Sequence, residues 1–235
     1  MQRGSPAAGR RILGAGRLPP ARQAGFTLAE LAIVAVIAGL IVGFIVQGQA
    51  LVVQARIKDL SNELVGASQA FSLYFDRYRA VPGDDPLAEG RWAGARNGNG
   101  DRVLSGRYND PAPGNPMTMT IDTTTGETLN FWWHLRRAGL IPASETPHAQ
   151  PINAMGGLIG VQGSGLGFGF PIVCVDNIPG HIAEALDSSL DDGKPDKGMV
   201  RAALSPASGQ PLGAAVAAYT ATGGVLYAVC RPIDR

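Results

Sequence analysis

The chain has 235 residues with 20 basic and 19 acidic side chains, a formal charge of +1. Five of the arginines (Arg3, Arg10, Arg11, Arg17, Arg22) stand in the first 24 residues with no acid, which leaves 15 basic and 19 acidic side chains beyond them. Lys occurs only at 58, 194 and 197, so the rest of the chain holds no dense Lys/Arg run and no nucleic-acid partner is expected.

A basic head before an apolar run is a targeting pattern rather than a nucleic-acid arm. The apolar run is residues 26–46, in which Glu30 is the only charge. A helix of that length spans about 31 Å, enough to cross the hydrocarbon core of a bilayer. The arginines before it predict that its N-terminal side stays in the cytoplasm and that the chain beyond it lies outside. An ordinary secretory signal fits poorly, because no small-residue cleavage site comes after the run. A carboxylate inside such a run is costly and needs a partner.

Charges enter after residue 53, at Arg56, Lys58, Asp59 and Glu63. Ile57, Leu60, Leu64, Ala67, Phe71, Tyr74 and Tyr78 then recur in alternating steps of three and four, one stripe of a helix. The spacing predicts one helix from 26 to about 79, ended by Val81-Pro82-Gly83. The stripe suits either a coiled coil or a domain packed on it, and the domain is preferred because one begins directly after the helix. Gly39, Gly43 and Gly48 would allow close helix approach or local melting.

Residues 82–126 read as loops, with PGDDP, ARNGNGD, NDPAPGNP and TTTGE. ETLNFWWHLRRAGL is a short helix whose buried face is Leu129, Trp132, Trp133 and Leu140. Apolar segments at 151–161, 168–175, 199–204, 214–220 and 225–230 are expected to be strands. IPGHIAEALDSSLDDG, with Ile182, Leu186 and Leu190 four apart, is a second helix. The expectation is an α+β chain: a long N-terminal helix, transmembrane then amphipathic, with an antiparallel sheet head lying on it. Cys174 and Cys230 are the only cysteines, and outside the cytoplasm a single disulfide is the natural reading, with two buried free thiols as the alternative.

The stretch Gly25, Phe26, Thr27, Leu28, Glu30 and Leu31, standing as GFTLAEL after a basic leader, closely resembles the N-terminus of type IV prepilins and type II secretion pseudopilins. Ala29 departs slightly, since a larger aliphatic residue is usual there. The resemblance implies a type IV pilin-like fold and cleavage by prepilin peptidase between Gly25 and Phe26. It also implies N-methylation of the Phe26 amine and an assembly role for Glu30, which would pair with a neighbouring subunit's N-terminus. On this view the chain divides into a leader (1–25), a transmembrane and filament-core helix (26–53), an amphipathic continuation (54–81) and an extracytoplasmic head (82–235). The implied partners are prepilin peptidase, other pilin or pseudopilin subunits and an inner-membrane assembly platform. The precursor would sit in the inner membrane with its head in the periplasm, then join a pilus or pseudopilus. Thr27-Leu28-Ala29-Glu30 also matches a capping box, so Glu30 could satisfy the first backbone amides as well. Shorter phrases of the head, VPGDDP, NGNGD and ALDSSLDDGKPDKGMVRA, resemble minor pilins and pseudopilins more loosely.

Calcium is the one cofactor with candidate ligands. Asn97, Asn99 and Asp101 alternate with glycines like positions 1, 3 and 5 of an EF-hand loop, but position 12 is Tyr108 where a bidentate Glu is needed. Asp84 and Asp85 could close that site. Asp187, Asp191, Asp192 and Asp196 form a second acidic group, and turn chemistry accounts for both groups without metal. The resemblance favours calcium, which head loops of the pseudopilin branch bind.

An enzyme is not expected. His134, His148 and His181 lack metal-ligand spacing, Gly163-Ser164-Gly165 lacks the G-x-S-x-G spacing, and no phosphate-binding Gly-Lys loop is present. The leading function is a structural filament subunit. The alternatives are a membrane-anchored periplasmic binding protein and a calcium-dependent pilus-tip adhesin.

Overall fold

A computed structural model describes residues 26–111 and 126–233. Contacts divide the chain into two units, Met1–Gln47 and Gly48–Arg235. The leader and Gly25 lie outside the described residues.

Helix α1 runs from Leu28–Tyr78, 51 residues. Its portion in the first unit is solvent-exposed on every face, with Leu31, Ile33, Val34, Ile37, Leu40, Ile41 and Phe44 all more than half exposed. Apolar side chains cost free energy when left in water, so this stretch requires a cover. Among the described residues it is the one helix long and apolar enough to cross a membrane.

In the second unit the expected stripe is realised. Leu60, Leu64, Ala67, Phe71 and Tyr74 are buried in the head's main apolar cluster, while Ile57 and Tyr78 pack at its margin. The stripe therefore packs on its own head. The helix stops at Tyr78, one residue before the position expected. Arg79 takes a left-handed backbone (φ 54°) and its N–H returns to the Phe75 carbonyl at 2.8 Å, a helix-ending bond.

Beyond α1, the head holds α2 (Ala88–Arg91), α3 (Glu127–Arg137), β1 (Ile159–Gln162), β2 (Ile172–Pro179), α4 (Gly180–Leu190), β3 (Arg201–Leu204) and β4 (Leu226–Pro232). The one-turn helix α2 sits where loop was expected. The four strands form one antiparallel sheet in the order β1-β2-β4-β3. Val161, Val173, Val175, Ala202 and Val229 turn one face of the sheet to α1, α3 and α4, joining Phe131, Trp132, Leu135, Ile182 and Leu186. Ile172, Cys174, Ala203, Ala228 and Cys230 turn the other face to Tyr108, Leu166 and Phe168, with Leu212 and Ala215 as partial cover. Two-sided burial explains why β2 opens on an unbroken apolar run, residues 172–175. This is an α+β, type IV pilin-like architecture.

Three strand expectations are corrected. The segment 151–161 forms a strand only from Ile159, preceded by a bridge between Ile152 and Leu158. The segment 168–175 starts later and runs further, since Leu166 (φ 51°) and Gly165 make a turn closed on Phe168 before β2 begins. The segment 214–220 is not a strand. It is an irregular strap fastened by isolated bonds: Val216 N–H to the Ala202 carbonyl (2.9 Å), the Tyr219 hydroxyl to Asp187 (2.7 Å) and Thr220 N–H to the Tyr227 hydroxyl (2.9 Å). Its alanines have weak strand preference, so a single bond to β3 does not zip into a ladder.

Helix α3 is buried more completely than one face requires. Every residue from Glu127 to Leu135 is buried, including Trp133, while Leu140 beyond its end is only partly so. Cys174 and Cys230 stand opposite one another on β2 and β4 and are joined by a disulfide.

Candidate functional site

The N-terminal site is built by two residues of the first turn of α1. Glu30 Oε2 accepts the N–H of Thr27 at 2.8 Å and its hydroxyl at 2.9 Å, and Thr27 Oγ1 accepts the Glu30 N–H at 3.2 Å. This is the reciprocal capping box, which satisfies amides that the helix itself leaves unpaired. Oε1 of Glu30 has no hydrogen-bond partner among the described residues. Phe26 and Leu28 beside it are 83% and 88% exposed. The arrangement thus offers a spare carboxylate oxygen at the rim of an uncovered apolar helix.

The head's acidic site differs from the expected one. Asp84, Asp101 and Glu127 each present a ligand oxygen within 4.8 Å of the others. The sequence points to Asp84 and Asp101 there, and not to Glu127. Asp84 accepts Gly100 N–H (2.5 Å) and Arg102 N–H (2.6 Å), and Glu127 accepts Asn99 N–H (3.1 Å), Ser105 N–H (2.9 Å) and the Ser105 hydroxyl (2.7 Å). The NGNGD loop is therefore folded onto two buried carboxylates by its own amides. Gly98 permits this approach, because a Cβ there would lie 2.2 Å from Asp84 Cα. Burial raises the Asp84 carboxyl above the usual range.

The other expected ligands point elsewhere. Asp85 is fully buried and accepts the Tyr74 hydroxyl (2.6 Å), Leu87 N–H (2.9 Å) and the Arg91 guanidinium. It serves as a partner for Tyr74 on α1, since a buried charge requires pairing. Asn97 accepts Glu89 N–H at 2.9 Å. Asn99 donates to the Asp101 carboxylate and accepts its N–H (2.9 and 2.8 Å), a local turn contact. Glu127 carries little sequence signal: it is 26 residues from Asp101 and reads as an ordinary acid in a helix's first turn. The three oxygen donors suit a hard cation such as calcium, with Asp101 the only exposed member.

In the second acidic group Asp187, Asp191 and Asp192 come together and Asp196 does not join them. Asp187 is buried and accepts the Tyr219 hydroxyl and Gly193 N–H, while Asp191 caps Met199 and Val200. Burial pushes Asp187 up and carries the Tyr219 hydroxyl above its ordinary range.

The histidines are not a catalytic set. His134 is buried; Gly83 N–H donates to Nδ1 (2.8 Å), so Nε2 carries the hydrogen and donates to the Arg96 carbonyl (2.8 Å). Burial holds it below its usual value, so it is a neutral structural residue. His181 is exposed at the start of α4, and His148 stands against Trp133.

Residues 20–46 match the family model described as the prokaryotic N-terminal methylation motif. The N-terminal segment carries the prepilin-type methylation motif, which supports the type IV prepilin and pseudopilin family. The match ends at residue 46, next to the close of the first unit at Gln47, and it takes in Gly25, Phe26 and Glu30 together. It fits a membrane-anchored precursor of a structural rather than enzymatic class, and it implies prepilin peptidase and other pilin subunits as partners. No curated protein and no solved structure matches the chain.

Proposed function

We propose that this prepilin-like chain is a structural subunit of a type IV pilus or a type II secretion pseudopilus. Prepilin peptidase cuts after Gly25 on the cytoplasmic side, and the Phe26 amine is methylated. The precursor waits in the inner membrane with its head in the periplasm, and an assembly platform draws it into a helical filament. The observation that carries this reading is the methylation motif at 20–46 running straight into an apolar helix with no cover of its own. Glu30 keeps one oxygen in the capping box and offers the other to the Phe26 amine of an incoming copy. In a low-dielectric bundle that pairing offsets the cost of a buried carboxylate.

The test is the mass of the intact N-terminus from membranes with and without the peptidase. A chain beginning at methylated Phe26 only when the peptidase is present supports the subunit. A chain that keeps residues 1–25 sinks it, and a membrane-anchored binding protein then leads. Deleting secretion or pilus genes separately, and following surface filaments and secreted enzymes, separates the two filament types.

Calcium in the head is a second reading, favoured by the convergence of Asp84, Asp101 and Glu127. Binding to the folded state alone raises the melting temperature by mass action. A calcium-dependent rise that disappears in Asp101→Asn supports the site and keeps the adhesin variant open. No rise in the wild type removes it.

A further inference from the structure

Away from both places, the head brings three arginines and a histidine together. Arg136 and Arg137 close α3, His148 lies on the connection after it, and Arg96 belongs to the loop that covers His134. Trp133 lies against two of them, His148 and Arg137. The His148 ring stands edge-on to it with centroids 4.0 Å apart, and the Arg137 guanidinium lies 5.8 Å from its centroid. Arg136 donates to the carbonyl of Pro147, the residue before His148, yet its Nε is buried with no partner. A buried N–H left unpaired is costly, and such a group in a native fold calls for an acceptor.

The electrostatics agree. Burial first, then Arg96, His134 and Arg136, push the His148 ring down to about 4, and no carboxylate opposes them. Among the described residues the ion pairs are Arg79 with Asp76 and Arg91 with Asp85, so Arg96, Arg136 and Arg137 have no salt bridge there. Arginines at a helix C-terminus are often explained by the exposed carbonyls there. Here Arg77 from α1 already takes the Ala138 carbonyl at 3.3 Å.

We propose that Arg96, Arg136, Arg137 and His148 form an oxyanion site that takes a phosphate group. Phosphate oxygens accept several N–H donors at once, and the planar guanidinium matches them in pairs. The unpartnered Arg136 Nε supplies the buried donor, the exposed Arg96 and Arg137 the rim, and His148 a ring nitrogen. Trp133 is 8% exposed beneath His148 and Arg137, so no nucleobase can stack on it, and the contact is to phosphate itself. The phosphate is either free or carried by a lipid headgroup. The site belongs to the second unit and does not depend on filament assembly.

The test uses the full chain in maltoside micelles. Inorganic phosphate is exchanged for chloride at constant ionic strength while the melting temperature and tryptophan fluorescence are followed. A saturable shift that weakens about ten-fold or more in Arg96→Gln and in Arg137→Gln, with melting unchanged when phosphate is absent, is the expected result. A parallel series dopes the micelles with phosphatidylglycerol. A saturable shift with the lipid alone assigns the headgroup, and one with inorganic phosphate assigns free phosphate. No saturable shift in either series, or one that persists undiminished in both variants, overturns the proposal.

Discussion

Thr27 and Glu30 hold one another at three points, with the carboxylate taking both the amide and the hydroxyl of Thr27 through a single oxygen. That economy allows a capping role and an assembly role to be separated. Gln also completes a capping box, but carries no charge. Glu30→Gln is expected to leave helix content and precursor level in the membrane as they are, while filament yield falls to background. Circular dichroism of the purified chain and sheared-filament yield measure the two separately. Filaments at wild-type yield from Glu30→Gln would show that the charge is not needed.

Thr27→Ala should behave in the opposite way. It removes the hydroxyl that caps the Glu30 amide, at a cost of about 1 kcal/mol to the first turn. It leaves the carboxylate charged and one oxygen free. Filaments should still form, with faster exchange of the first-turn amides by hydrogen exchange. Loss of filaments equal to that of Glu30→Gln would mean that helix-end order, not charge, limits assembly.

The N-terminal features are legible in the sequence because each is local. A capping box needs four consecutive residues, and the α1 stripe needs only its own period. The features that escape a sequence reading depend on distance along the chain. Glu127 joins Asp84 across more than forty residues, and nothing near it in the sequence foretells its burial. Asp85 reads as another loop acid until Tyr74 and Arg91 are seen against it. The strap at 214–220 has apolar composition like a strand, but whether it zips onto β3 is decided by backbone bonding that composition does not encode. Arg96 and His148 look like scattered charges until Trp133 brings one of them into place.

Gly83 is a point where backbone form and close packing coincide. Its φ is +94°, and a Cβ there would lie 2.3 Å from the Glu127 carbonyl. Its N–H also holds His134. Gly83→Ala should destabilise the head by more than about 1 kcal/mol, since both the conformation and the space are refused. The midpoint of denaturant unfolding followed by tryptophan fluorescence should fall. An unchanged midpoint would mean that the turn after α1 relaxes without strain.

The Cys174–Cys230 bridge closes a separation of 56 residues. Chain entropy gives such a loop about 4 kcal/mol. Both cysteines are fully buried, so Cys174→Ala with Cys230→Ala also loses some packing. The double variant should melt well below the wild type, and the wild type under reducing conditions should approach it. A double variant that melts with the oxidised wild type would place the sheet's stability in packing alone.

Acid should destabilise the head partly through His148. Its folded value is about 4 against an ordinary 6.5, chiefly through burial and then through Arg96, His134 and Arg136. Between those values the unfolded chain binds a proton that the folded chain refuses. The slope of stability with pH is therefore positive there, and this contribution is lost as pH falls from about 6.5 towards about 4. His134, also held down by burial, adds in the same direction. Asp84, Asp176, Asp187 and Glu63, all raised by burial, work the other way: protonation favours their folded form as pH falls. A single melting curve against pH therefore mixes opposing contributions. The difference between wild type and His148→Asn isolates one of them. His148→Asn should show a flatter decline than wild type across that window, whatever its melting temperature at neutral pH. Parallel profiles for the two proteins would show that His148 titrates alike in the folded and unfolded chains, and its crowding by arginines would then carry no energetic weight.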